Sequence, residues 1–261
     1  MTPSLQQQVQ SVLDDLVGTG AETEAETGLQ VAVFHQGAPV VDAVAGVADG
    51  RTGRRVTPET PFFSFSAGKV MTSLIAHLLV GTGAVGYDTP VVDVWPEFGA
   101  HGKATATLRH VLTHSVGVPA MPRDIGPADL ADWTRVCAAI ADAEPRWRPG
   151  TETGYHSFTF GFLVGELARR ATGKPMRQLL HEWVAVPLGL EGDLYFGVPR
   201  TDLARLARLE DAAPHPVAPP DGDAVLAPWE QQPTAAMGND PKILQADIPS
   251  VGTFTARGSP P

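Results

Sequence analysis

Ser66 and Lys69 stand three positions apart in Ser66-Ala67-Gly68-Lys69. On a helix, residues at i and i+3 share a face. A serine hydroxyl becomes a nucleophile when a neighbouring base takes its proton, and a neutral lysine amine can be that base. Burial favours the neutral amine by disfavouring the ammonium. The chain has fifteen arginines and only four lysines, and arginine could not replace Lys69 as a base because it stays protonated. Ala67 and Gly68 leave room for close approach by a substrate. A Ser-x-x-Lys pair arises by chance in roughly one chain in seven of this composition. A serine helix cap followed by a solvated lysine has the same spelling. Gly154-Tyr155-His156-Ser157 adds a second set of groups. A tyrosine hydroxyl can pass a proton to a leaving group when nearby cations stabilise the phenolate. Ser157 supplies a hydroxyl able to bond the lysine. Taken by itself, that segment is also consistent with a loop tyrosine packed on a helix.

These groups need a frame. Leu5, Val9, Val12, Leu13 and Leu16 make a helical stripe over 5–18. Two β-rich runs, Leu29–His35 and Pro39–Val47, flank Gln36-Gly37-Ala38 and predict a hairpin. Gly50 to Pro61 reads as a turn-rich loop. Ser66 to Val80 is the strongest helical pattern, ended by Gly81 and Gly83. A loop follows over 84–104, then a short helix over Thr107–Thr113 and a longer one over Asp129–Ala143. Trp147-Arg148-Pro149-Gly150 breaks the latter. Further helices are expected over Phe158–Ala171, Pro175–Val184 and 198–209. From Ala212 to Pro233 the chain is rich in Pro and Asp and predicts a loop. No internal repeat is present.

Composition removes several function classes. With 261 residues, 43% hydrophobic and 18% charged, the chain can bury a real core. No apolar run reaches membrane-spanning length. A net charge of -10 without a basic run argues against nucleic acid or an anionic membrane as partner. The first twenty residues lack a basic and apolar leader pattern. The single cysteine, Cys137, allows no internal disulfide. Both features predict a cytoplasmic location. No His-Glu-x-x-His, cysteine cluster or Gly-x-Ser-x-Gly is found, so neither a metal, another cofactor nor an α/β-hydrolase elbow is expected.

Read in order, several segments carry a family likeness. They are Phe63-Ser64-Phe65-Ser66-Ala67-Gly68-Lys69, Val94-Trp95-Pro96-Glu97-Phe98 and Leu108-Arg109-His110-Val111-Leu112-Thr113-His114-Ser115-Val116-Gly117-Val118-Pro119. Pro149-Gly150-Thr151, Tyr155-His156-Ser157, Phe160-Gly161-Phe162-Leu163-Val164-Gly165-Glu166-Leu167 and Pro187-Leu188-Gly189-Leu190 complete the series. Over residues 29–258 the chain resembles the serine β-lactamase-related, penicillin-binding-type superfamily. Within it, the esterase-like branch of family VIII carboxylesterases and class C β-lactamase relatives is the nearest match.

The resemblance implies an α+β fold of β-lactamase/transpeptidase type, an antiparallel sheet with a large helical subdomain. It implies Ser66 as acylated nucleophile, Lys69 as its base and Tyr155 as proton carrier. Ser157 holds a position that is Asn in many relatives, and with His156 is expected to face substrate. His114 is expected to shape the wall beside the site, and Cys137 to be core. The substrate would be a small ester or amide, with esters favoured by the absence of a leader. A third family motif, Lys/His-Thr/Ser-Gly on a late strand, has no counterpart after Tyr155. The chain is therefore expected to lack the C-terminal strands of the sheet and one oxyanion-hole N–H. Residues 248–258 are expected to lead into a helix. The organisation expected is one domain over 1–261: a helix and hairpin over about 5–60, a helical subdomain over 61–211, and a Pro-rich loop and tail over 212–261. An exposed hairpin edge and an impaired enzyme follow from that expectation. A non-catalytic scaffold on the same fold is a further alternative, disfavoured by an intact Ser66, Lys69 and Tyr155.

Overall fold

The computed structural model describes residues 3–17, 26–211, 226, 228–231 and 234–256. Helix α1 (Leu5–Leu16) opens on Ser4, whose hydroxyl caps the Gln7 N–H while the Gln7 side chain returns to the Ser4 N–H. Its apolar stripe lies on a β-hairpin formed by β1 (Gly28–His35) and β2 (Ala38–Asp49). Leu13, Val41, Ala43 and Ala45 are buried between them, with Val9, Val17, Leu29 and Val31 packed around. The hairpin turns at Gln36 and Gly37, both at positive φ (52° and 81°), which matches the right-handed twist of the paired strands. A register shift between Val33 and Phe34 marks a bulge near that turn. The other edge of β2 pairs with β3 (Arg54–Arg55). Among the described residues, no strand pairs with the outer edge of β1.

A second antiparallel sheet of two-residue strands ties distant parts of the chain together. It joins β4 (Phe62–Phe63), β5 (Leu194–Tyr195) and β6 (Thr253–Phe254), with β6 in the centre. Residues 248–256 therefore form part of a sheet where the sequence suggested the approach to a helix. Pairs this short carry no alternation to read.

The main core is helical. Helix α2 (Lys69–Gly81) packs Ile75, Ala76 and Leu79 inward. Short helices α3 (Val91–Val94) and α4 (Leu108–Leu112) follow, then α5 (Trp133–Asp142). Helix α6 (Thr159–Thr172) is buried on all sides from Thr159 to Ala168 and forms the axis of this region. Helix α7 (Met176–Leu180) runs on through His181–Ala185. Met237, Ile243, Leu244, Ile248 and Val251 belong to the same core cluster, so residues beyond 234 pack as core and not as a tail.

Two local expectations are corrected. The segment 84–104 is not all loop: it contains α3 and a 3-10 stretch over Pro96–Thr105, which turns through His101 and Gly102 at positive φ. The segment 198–209 is not a helix and holds only the turn Leu203–Arg205. There the Ala207 N–H bonds to Pro61 O and the Arg208 N–H to Ala48 O. Those donors are taken by neighbouring segments, so no helical ladder can form. The loop expected over 212–233 falls mostly outside the described residues, though Pro228–Gln231 is a helical turn.

Candidate active site

Ser66 sits in a 3-10 turn, Phe65–Gly68, that runs directly into α2. Phe65, just before it, has φ 38°, a left-handed backbone that few non-glycine residues adopt. This sharp entry leaves Ser66 exposed while Lys69, one turn later, is buried at 9% exposure. Lys69 Nζ donates to Ser66 Oγ at 2.9 Å and to the Ser250 carbonyl at 3.3 Å. Burial pushes the lysine pKa below its ordinary range, and the Tyr155 phenol and Glu230 carboxylate pull the other way.

The Tyr155 hydroxyl donates to Ser66 Oγ at 2.7 Å. Lys69 Nζ stands 5.1 Å from the centre of the Tyr155 ring. The three groups named from the Ser-x-x-Lys and tyrosine motifs are thus brought together around one oxygen. A nucleophile in reach of an amine and a phenol has both a proton acceptor and a proton donor at hand.

Tyr155 is held by a loop stitched to the 114–119 segment. The Gly150 N–H bonds to Ser115 O, Gly154 N–H to His114 O, Ser157 N–H to Pro119 O and Arg146 N–H to Gly117 O. Gly117 is at φ 94°, and a side chain there would strike the Trp147 carbonyl oxygen at 2.4 Å. Trp147 Nε1 adds a bond to Ser115 O at 3.1 Å.

His156 and Ser157, expected to face substrate, are both buried. The His156 ring is fully enclosed. Its Nε2 accepts from the Val118 N–H at 3.2 Å, and its Nδ1 then donates to Gly154 O at 2.6 Å. Burial lowers its pKa to about 4, so it is neutral. It braces the loop behind Tyr155, and neither side chain is turned to solvent as a substrate contact requires.

Sequence reasoning missed Ser250. Its carbonyl takes the lysine, its hydroxyl bonds to the Phe158 carbonyl, and its Oγ accepts from the Gly161 N–H at 2.9 Å. It links the nucleophile turn to the start of α6. A backbone carbonyl leaves no residue-type signal, so nothing in the chain marks it. Cys137 is buried on α5, and burial pushes its thiol far above the ordinary range, as a core residue. A cavity of about 300 Å³ near Cys137 is lined by Trp95, Trp133, Glu166, Arg169 and Arg170, and by none of the groups around Ser66. Its Glu166 carboxylate is held by both arginines and the Trp133 N–H, a structural ion cluster. Among the described residues, no helix is long and apolar enough to cross a membrane.

Known proteins share this arrangement of fold and sequence. Esterase/beta-lactamase LipL of Mycobacterium tuberculosis (strain ATCC 25618 / H37Rv) is 35% identical over 243 residues, covering 88% of this chain and 56% of its own length. The chain thus spans little more than half of that relative. A crystal structure of a family VIII carboxylesterase superposes with a TM-score of 0.80 at 31% identity, covering 94% of this chain and 66% of that one. A penicillin-binding protein homolog from Caulobacter crescentus gives a TM-score of 0.79 at 32% identity, covering 97% and 68%. The family model described as Beta-lactamase matches residues 13–254, and the chain belongs to that family.

Proposed function

We propose that this chain is a serine hydrolase working through an acyl-enzyme, with Ser66 as nucleophile, Lys69 as base and Tyr155 as proton carrier, and that its substrates are small carboxylic esters. The observation that carries the reading is the convergence of Lys69 Nζ and the Tyr155 hydroxyl on Ser66 Oγ, at 2.9 and 2.7 Å. With one proton fewer, the lysine amine presents a lone pair along the same contact. Ser66 Oγ then attacks the ester carbonyl as its proton passes to Lys69. A bond forms from Oγ to the carbonyl carbon, the bond to the alkoxy oxygen breaks, and Tyr155 delivers a proton to the departing alcohol. Water reverses the sequence: it gives its proton to the same pair and releases the acid and free Ser66. The ester preference is supported by the names of the similar proteins, an esterase/beta-lactamase and a carboxylesterase.

The test uses the purified chain with p-nitrophenyl butyrate and, separately, a fluorescent phosphonate. Release of p-nitrophenol, with a phosphonate adduct mapped to Ser66 and absent from Ser66→Ala, is the expected result. A folded chain giving neither adduct nor turnover would overturn the proposal.

A further inference from the structure

His114 lies between α4 and the Tyr155 loop, with φ 56°. In this left-handed turn its backbone and its ring address the same short segment. Its carbonyl accepts from the Gly154 N–H at 3.1 Å, and its Nδ1 accepts from the His156 N–H at 3.0 Å. Gly154 and His156 are the two neighbours of Tyr155. One residue therefore holds the chain immediately before and immediately after the tyrosine. The His114 ring is packed at 5.4 Å from the Tyr155 ring and stacks on Phe160 of α6 at 4.9 Å. Phe160 is buried in the main core, so the histidine is itself anchored.

We propose that His114 is a positioning residue for Tyr155, fixing the phenol within reach of Ser66 by holding the amides on both sides of it. The inference rests on the reading of Tyr155 as proton carrier given above. A misplacement of about 1 Å at a reacting group can lower a rate by about 10²-fold. A loop tyrosine with its ring half in solvent needs a device to avoid such drift. The device works only with a neutral imidazole, because a protonated Nδ1 has no lone pair to offer. Burial and the nearby Lys69 charge both favour that neutral form.

The chain has three tyrosines, Tyr87, Tyr155 and Tyr195, so a protein carrying 13Cζ-tyrosine gives three resonances, with Tyr155 assigned by its loss in Tyr155→Phe. Two substitutions separate the parts of the device, and both tolerate the left-handed backbone. His114→Asn keeps an acceptor near the Nδ1 position, whereas His114→Gly removes it. The expected result is a Tyr155 resonance close to the original in His114→Asn and shifted in His114→Gly. Ser66 labelling by the phosphonate should fall about 10²-fold in the glycine variant and far less in the asparagine one. Unmoved Tyr87 and Tyr195 resonances report an intact fold. An unshifted Tyr155 in His114→Gly, or an equal loss in both variants, would overturn the proposal. Should the glycine variant not fold, amide exchange in the unmodified protein decides. Protected Gly154 and His156 amides are expected, and exchange at the rate of a free loop would refute the clamp. If Ser66 takes no label even in the unmodified protein, the acyl-transfer reading fails, while the tyrosine resonance and amide exchange still decide the role of His114.

Discussion

The Tyr155 hydroxyl donates to Ser66 Oγ at 2.7 Å, closing a gap of 89 residues in sequence. The tyrosine is 49% exposed, so removing its hydroxyl empties no core. Tyr155→Phe is expected to slow labelling of Ser66 by about 10² to 10⁴-fold with an unchanged melting temperature. Timed mass spectrometry beside a thermal melt checks both. A rate loss that tracks a loss of stability would contradict the assigned role.

Lys69 must be neutral to accept a proton, and burial lowers its pKa. Labelling of Ser66 should therefore rise with pH and level off below the range in which an ordinary lysine titrates. Lys69→Arg keeps the cation but cannot give it up. That variant should label poorly at every pH from 6 to 10, a pH series that separates base loss from simple misfolding when run beside circular dichroism.

The nucleophile turn touches residues 250–252 backbone to backbone. A Cβ on Gly68 would meet Gly252 N and Val251 C at 2.3 Å, and one on Gly161 would meet Ser250 N at 2.2 Å. Backbone cannot step aside as a side chain can. Gly68→Ala and Gly161→Ala should each destabilise by about 1–3 kcal/mol or more. Gly81→Ala, at the end of α2 with open space around it, should be neutral or stabilising by up to about 1 kcal/mol. Urea unfolding of the three variants provides the comparison.

Two buried groups titrate in one window with opposite sign. Burial raises the Asp247 carboxyl to about 6 against the nearby Arg177, and among the described residues its Oδ1 has no hydrogen-bond partner. Between about pH 4 and 6 the unfolded chain has lost that proton and the folded chain has kept it, so stability falls as pH rises. His156, lowered to about 4 by burial, does the reverse: the unfolded chain binds the proton first, so stability rises from about pH 4 to 6.5. Each effect amounts to about 3 kcal/mol, and the two offset one another. His114, also held below its ordinary value, adds to the histidine side. Asp247→Asn should stabilise the protein at pH 7 by about 2–3 kcal/mol and leave a steeper rise in stability between pH 4 and 6.5. Denaturant midpoints across pH show whether the slope changes as stated.

How far residues alone led depends on whether a role belongs to a side chain or to the backbone. Ser66, Lys69 and Tyr155 were readable because hydroxyl, amine and phenol chemistry is written in residue type, and the helix behind Ser66 in apolar spacing. The hairpin was readable from Gln36-Gly37 between two β-rich runs. Ser250 was hidden because what it gives Lys69 is a carbonyl, which every residue has. The strands at 62–63, 194–195 and 253–254 are too short for alternation. The pattern over 198–209 lost to backbone bonds with Pro61 and Ala48. The neighbours of Tyr155 misled for a related reason: position beside an exposed tyrosine says nothing about facing, and His156 and Ser157 point into the fold.

The carbonyl that holds Lys69 lies 181 residues downstream of it. Synthesis runs from the N-terminus, so a ribosome-bound chain carries Ser66 and Lys69 long before it carries Ser250. Until residues 250–254 emerge and slot β6 between β4 and β5, the lysine has no such anchor and the turn at Gly68 has nothing behind it. The nascent chain is thereby kept from reacting, with its nucleophile present but unpoised, until nearly the whole of the matched family region has been made.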